Sequence, residues 1–263
     1  MNERTGGRAT PPEVMAKEPV WSYEGDRGAA NWGSLDDAFC VCSKGVEQSP
    51  IELAEAAPVG DFPRVEFDYG QRAGTVVNTG RTIQVNVDRG SGITVGGTRY
   101  ELLQFHFHHG SEHTVGGVRF PMEMHLVHEV DQVHQVDQVH QVDQVNRGGG
   151  LAVVGVLLRA GAASEVLAPI WTRLPLQTGA VVALPDAVPM AELLPERRTA
   201  WRYRGSLTTP PCTEGVSWIV MTEPVTLSAA QIAAFGALYP RNYRPVQPLG
   251  RRTLGRDKGE RDE

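Results

Sequence analysis

Along most of the chain, apolar residues either alternate with polar ones or fall in short β-branched runs, and glycine interrupts them at close intervals. This pattern predicts strands at 64–69, 74–78, 82–87, 102–108, 123–129, 151–158 and 216–222. Helical periodicity is rarer. It predicts helices at 162–174 and after Ser228, where Ser228 and Gln231 have the spacing of a capping box ahead of AAQIAAFGALY. The expected class is therefore mainly β: a single domain with a few peripheral helices on a sheet. Residues 1–20 and the charged end 253–263 read as tails, which leaves 21–252 as the domain.

One stretch obeys neither period. DQVHQV is written twice from Asp131 to Val142, and a decayed third copy, DQVNRG, follows. Valine every third residue suits neither a strand nor an α-helix, and two copies with a fragment are too few to stack as a solenoid. The segment 131–150 reads as a loop insertion closed by Gly148, Gly149 and Gly150.

Composition narrows the functional classes. Hydrophobic residues make up 41% and charged residues 21% of the 263, so wholesale disorder and coiled coil both fit poorly. A net charge of -6 disfavours a protein whose main task is gripping nucleic acid or an anionic membrane. The longest apolar runs, such as LAVVGVLL, fall far short of the roughly 20 residues a spanning helix needs, so no membrane span is expected. The first twenty residues contain no apolar run of the kind a secretory signal requires, which leaves a cytoplasmic location open. Three cysteines, Cys40, Cys42 and Cys212, are too few for a disulfide scaffold and lack CxxC spacing. By count alone, one bridge with a spare thiol and three unlinked thiols both remain open.

All eight histidines lie between His106 and His140, and six remain within His106 to His128 once the repeat's His134 and His140 are set aside. In a strand, residues two apart share a face, so His106 and His108 can converge on one ion while Phe105 and Phe107 pack the opposite side. His125 lies in a second alternating run, and an antiparallel neighbour could bring it against the first pair. Three imidazoles with an open fourth position are the donor set of catalytic zinc. Gln104 and Glu123 share the histidine face and can hydrogen-bond the outer ring nitrogens. Two rival chemistries fail. Position 132 is Gln where HExxH would need His, and no GxSxG elbow is present.

LLQFHFHHGSEHTVGG, MEMHLVH and GSLTTPPCTEGVSWIV closely resemble the α-class carbonic anhydrases of bacterial type. WSYEG, NWG, EQSPIEL, LAVVGVLL and NYRPVQPLGRR extend the resemblance colinearly from Trp21 to Arg252. The resemblance implies a twisted, largely antiparallel sheet with zinc at the base of a conical cleft. It implies a zinc hydro-lyase that interconverts CO2 and bicarbonate by attack of zinc-bound hydroxide. His106, His108 and His125 would be the zinc ligands, and Gln104 and Glu123 the partners of His106 and His125. Thr208 would accept from the hydroxide and donate to Glu112. Val127, Val153, Leu207 and Trp218 would form the apolar wall for CO2, with Thr209 beside bicarbonate. Cys42 and Cys212 would form the single disulfide of many bacterial members, with Cys40 left over. That bridge favours a periplasmic or secreted location over the cytoplasmic alternative. The implied partners are CO2, bicarbonate and water, and monomer or homodimer stays open.

One departure bears on turnover. Where fast members of the family carry a proton-shuttling histidine, this chain has Asn78-Thr79-Gly80-Arg81. Arginine stays protonated at any working pH and cannot relay protons by titrating. Slow proton release is therefore expected, unless His134 or His140 of the inserted loop takes over. Two other readings stand beside the enzyme: a catalytically silent carbonic-anhydrase-like binding protein, which the intact ligand set argues against, and a histidine-rich metal buffer.

Overall fold

The computed structural model describes residues 21–54, 57–131 and 150–257. Residues 1–20, 55–56, 258–263 and 132–149, which hold all of the repeat except Asp131, lie outside them.

A twelve-stranded mixed sheet carries the molecule. Its main path runs Val181–Ala183, Gly74–Asn78, Ile83–Val87, Thr98–His109, Met122–Val130, Leu151–Ala160, Glu214–Met221, Ala200–Ser206 and Gly255–Arg256. Neighbours on this path are antiparallel except Leu151–Ala160 with Glu214–Met221, which is parallel. All seven expected strands form, several of them longer than their apolar pattern. The histidine strand extends over Thr98–His109, because backbone pairing with its neighbours continues past the alternating residues.

Strand alternation separates two environments. Phe105, Phe107, Met124, Leu126, Val154, Val156 and Ile219 point into the larger core, where Ile170 and Phe235 join them from two helices. The opposite face carries the histidines and a smaller core containing Val153, Trp218, Val220, Trp201 and Tyr203. The central strands are thus covered on both sides, and the polar residues of the histidine face are placed in a largely dry setting.

Helix Ala229–Leu238 starts with the expected capping box: Ser228 Oγ accepts from the Gln231 N–H, and Gln231 Oε1 accepts from the Ser228 N–H. The other predicted helix is corrected. Only Ala168–Trp171 of 162–174 is helical. Pro169 has no N–H to give and is tolerated only in a first turn, so the helix begins beside it, and Pro175 follows soon after its end. The chain end is corrected too. Leu254 is buried and Gly255–Arg256 pairs with Trp201 and Arg202, so the sheet continues past 252 into the segment read as a tail. The strand Ala200–Ser206 escaped the apolar pattern because Arg202 and Arg204 interrupt it; Arg202 is buried, with Nη1 3.2 Å from Asp257 Oδ1.

Candidate active site

Register brings the three histidines together. In the pairing of Thr98–His109 with Met122–Val130, His125 lies directly opposite His106, and Glu123 opposite His108. The ring centroids are 5.0 Å apart for His106 and His108, 5.4 Å for His106 and His125, and 4.6 Å for His108 and His125.

Each ring has one nitrogen engaged on its outer side. His106 Nδ1 is 2.9 Å from Gln104 Oε1, His108 Nδ1 is 2.7 Å from the Asn242 carbonyl, and His125 Nε2 is 2.8 Å from Glu123 Oε1. Accepting oxygens of this kind require the bonded nitrogen to carry the proton, so in the neutral ring the other nitrogen keeps its lone pair. One ligand atom from each histidine lies within 4.8 Å of the other two. His108 Nε2 is buried and has no hydrogen-bond partner among the described residues. A desolvated lone pair without a donor is costly, and a cation held by it together with the facing nitrogens of His106 and His125 removes that cost. The donor set, three imidazoles with oxygen partners behind them, fits zinc.

Glu123 is the hub of the outer layer. Its Oε1 also accepts from His113 Nδ1 at 2.7 Å, and its Oε2 accepts from the backbone N–H groups of Glu112 and His113 at 2.8 and 2.9 Å. His113 Nε2 in turn meets Tyr203 Oη at 2.6 Å, which is 2.9 Å from Ser49 Oγ. His113, Glu123 and His125 are close enough to suggest a second ion site. The hydrogen bonds at 2.7 and 2.8 Å account for that closeness without an ion. Gly155, opposite His125 on the next strand, leaves room for this hub: a Cβ there would lie 3.3 Å from Glu123 Oε1.

Electrostatics follow from these contacts. Burial holds the pKa values of His106 and His108 below the ordinary histidine value, and the neighbouring imidazoles add to the effect. At His125 burial works in the same direction, but the Glu123 carboxylate outweighs it and raises the value. For Glu123 burial favours the neutral acid, and His113 and His125 together overcome it, pulling the carboxyl well below the usual range. His128, also buried on the His125 strand, has no carboxylate acting on it among the described residues. Burial pushes it down to about 3, and it packs as a neutral ring against Tyr69, whose Oη is 2.7 Å from Nε2.

The histidines line a cleft of about 310 Å³ together with Val127, Val153, Leu207, Thr208, Thr209, Trp218, Gln104 and Arg81. Every resemblance-based wall residue is therefore present on one surface. Glu112 is fully buried behind it, where Oε1 accepts from the Arg244 N–H at 2.7 Å. The expected bond between Thr208 and Glu112 is not formed in this structure. Glu112 Oε2 is buried without a hydrogen-bond partner among the described residues and lies 3.9 Å from His125 Nδ1, an acceptor left open on the side of the histidines. Cys42 and Cys212 are disulfide-bonded and Cys40 is free.

Sequence reasoning missed Asn242, His113, Tyr203 and Arg244. Asn242 acts through its main-chain carbonyl, which no side-chain pattern reveals. Arg244 is buried, with Nη1 on Gln48 Oε1 and the Ser49 carbonyl and Nη2 on the Cys42 carbonyl. His113 adjoins Glu112 in SEHTVGG, and that adjacency was the available signal.

Comparison with known proteins identifies the family. Residues 27–257 match the family model described as eukaryotic-type carbonic anhydrase. The carbonic anhydrase of Nostoc sp. is 40% identical over 247 residues, covering 92% of this chain and 87% of that one. That of Neisseria gonorrhoeae is 39% identical over 236 residues, covering 89% and 86%. Among solved structures, the α-carbonic anhydrase from Thermovibrio ammonificans, in complex with the inhibitor sulfanilamide, superposes with a TM-score of 0.81 at 38% identity, covering 89% of this chain and 98% of that one.

Proposed function

Because this chain belongs to the eukaryotic-type, or α-class, carbonic anhydrase family, we propose that its cleft catalyses the reversible hydration of CO2 to bicarbonate and a proton, with zinc held by His106, His108 and His125. The convergence of three lone-pair nitrogens, each backed by an oxygen acceptor, carries this reading. Zinc bound there would supply the nucleophile at neutral pH by lowering the pKa of a water to about 7, the value established for the zinc of carbonic anhydrases as a class and adopted here from them.

The chain's own residues do the rest. Gln104, Asn242 and Glu123 hold the tautomer and orientation of each ring, so the donor set is organised before metal arrives. The open Oε2 of Glu112 is the acceptor to which the Thr208 hydroxyl would donate. With its proton so committed, Thr208 Oγ1 can only accept, and it aims the lone pair of the group it holds at the substrate carbon. Val127, Val153, Leu207 and Trp218 offer apolar surface to CO2, and Thr209 flanks the product.

Proton export is the slow step in this proposal. With a donor of pKa near 7 and bulk water as the acceptor, turnover is limited to about 10³ s⁻¹, against about 10⁶ s⁻¹ with a titratable relay. Arg81 supplies no such relay. His134 and His140, the candidates to replace it, lie outside the described residues. The Cys42 to Cys212 bridge supports an oxidising compartment, periplasmic or secreted. No helix among the described residues is long and apolar enough to cross a membrane.

The test is stopped-flow CO2 hydration on zinc-quantified protein, in weak buffer and then with imidazole. Hydration that imidazole accelerates at saturating CO2 is expected. Hydration without acceleration would remove the slow-proton step, and one bound zinc without hydration would turn the reading to a silent binding protein. More than one zinc per chain would instead indicate a metal buffer.

A further inference from the structure

Arg81 lines the same cleft, and its guanidinium has five N–H donors with no protein acceptor among the described residues; Nε is buried without a partner. The group is nonetheless held in place. Its Cζ lies 4.1 Å from the centroid of the Trp21 ring, a cation–π contact. Trp21 is itself wedged edge-on against Tyr23 and Trp32, at centroid distances of 5.4 and 5.0 Å, in a cluster that includes the disulfide cysteines.

The backbone beneath is equally fixed. Gly80, at φ +79°, turns the chain, and the N–H groups of Arg81 and Thr82 donate to Thr79 Oγ1 at 3.3 and 3.1 Å. Asn78 Oδ1 accepts from the Gly80 N–H at 2.9 Å and from Tyr239 Oη at 2.5 Å. The Arg81 carbonyl accepts from Asn242 Nδ2 at 3.0 Å, so the turn is tied to the residue that orients His108. No Asp or Glu is among the described residues lining the cleft.

We propose that Arg81 is an anion-docking residue, whose guanidinium fork takes a planar oxyanion of the bicarbonate and carboxylate class on the cleft wall. The inference rests on reading the cleft as a CO2-hydrating site, because its product is then such an anion. A guanidinium matches two oxygens of a planar oxyanion at once, and one already stacked on Trp21 loses little further freedom on binding. Val127, Val153, Leu207 and Trp218 in the same lining lower the local dielectric and so strengthen the attraction. Position 81 thus trades a proton relay for anion capture: above its pKa a histidine there would be neutral and hold anions weakly.

The experiment measures inhibition of CO2 hydration by bicarbonate and by acetate, at fixed ionic strength, for zinc-loaded parent, R81Q and R81K. Both inhibition constants are expected to rise about three- to tenfold in R81Q. R81K keeps a charge without the fork or the stack and is expected to recover less than half of that loss. Equal constants in parent and R81Q overturn the proposal. Full recovery by R81K also overturns it, since a diffuse charge would then suffice. A zinc-loaded parent that does not hydrate CO2 refutes the functional reading alone. In that case line broadening of carbon-13 acetate by parent and R81Q still decides the docking proposal, with weaker broadening expected in R81Q and equal broadening overturning it.

Discussion

On the floor of the cleft, Gln104, Asn242 and Glu123 each occupy one ring nitrogen of a histidine, whereas on the wall the Arg81 guanidinium has an aromatic face beneath it and no acceptor among the described residues. The floor spends its hydrogen bonds on holding ligand atoms still, and what it leaves open is one lone pair per ring. The wall leaves donors open instead. Both are tied down by neighbouring contacts, but the floor is organised for a cation and the wall for an anion. The difference arises because the floor is built on paired central strands with Glu123 as a shared carboxylate hub, while Arg81 sits on a turn with no carboxylate among the described residues of the cleft lining.

Removing a ligand breaks the floor outright. His108→Ala or His125→Ala should abolish stoichiometric zinc binding and lower CO2 hydration roughly a thousandfold or more, checked by metal analysis and stopped-flow assay. Thr208→Val keeps the ligands and their partners but removes the hydroxyl. We expect zinc retained and kcat/KM for CO2 lower by about a hundredfold; retained activity would separate Thr208 from the chemistry. Glu123→Gln tests the hub. It retains a side chain of similar size but loses the charge that favours the protonated outer nitrogens of His113 and His125, and zinc affinity should weaken by about ten- to a hundredfold in competition with a chelator. At the wall the effect is smaller and of opposite sign. Arg81→His should raise kcat in weak buffer by up to about tenfold, with less response to added imidazole than the parent shows. If that variant is no faster, proton export is limited elsewhere and the contrast between floor and wall loses its kinetic meaning.

Local pattern made much of the floor legible. Alternation puts His106 and His108 on one face and Phe105 and Phe107 on the other, a consequence of strand geometry that holds in any sheet. The capping box at Ser228 was legible for the same reason, since its partners are three residues apart. The helix expected at 162–174 was not, because Pro169 and Pro175 override periodicity through missing N–H groups. Nor was the end strand Gly255–Arg256, whose place depends on an edge offered by Trp201 and Arg202 rather than on its own residues.

The sequence by itself determined which atoms are available: a pair of histidines on one strand face, a third on another, a glutamine and a glutamate to back them, and an arginine where a relay could have stood. The tertiary structure decided what those atoms do. Strand register, an interaction between segments distant along the chain, set His125 opposite His106. A main-chain carbonyl at Asn242, invisible as a side chain, oriented His108. The Trp21 ring, sixty positions before Arg81, turned a surface charge into a fixed fork. Side-chain chemistry is local and can be read from residue type, but which lone pair or donor remains unused depends on contacts that only the folded chain brings together.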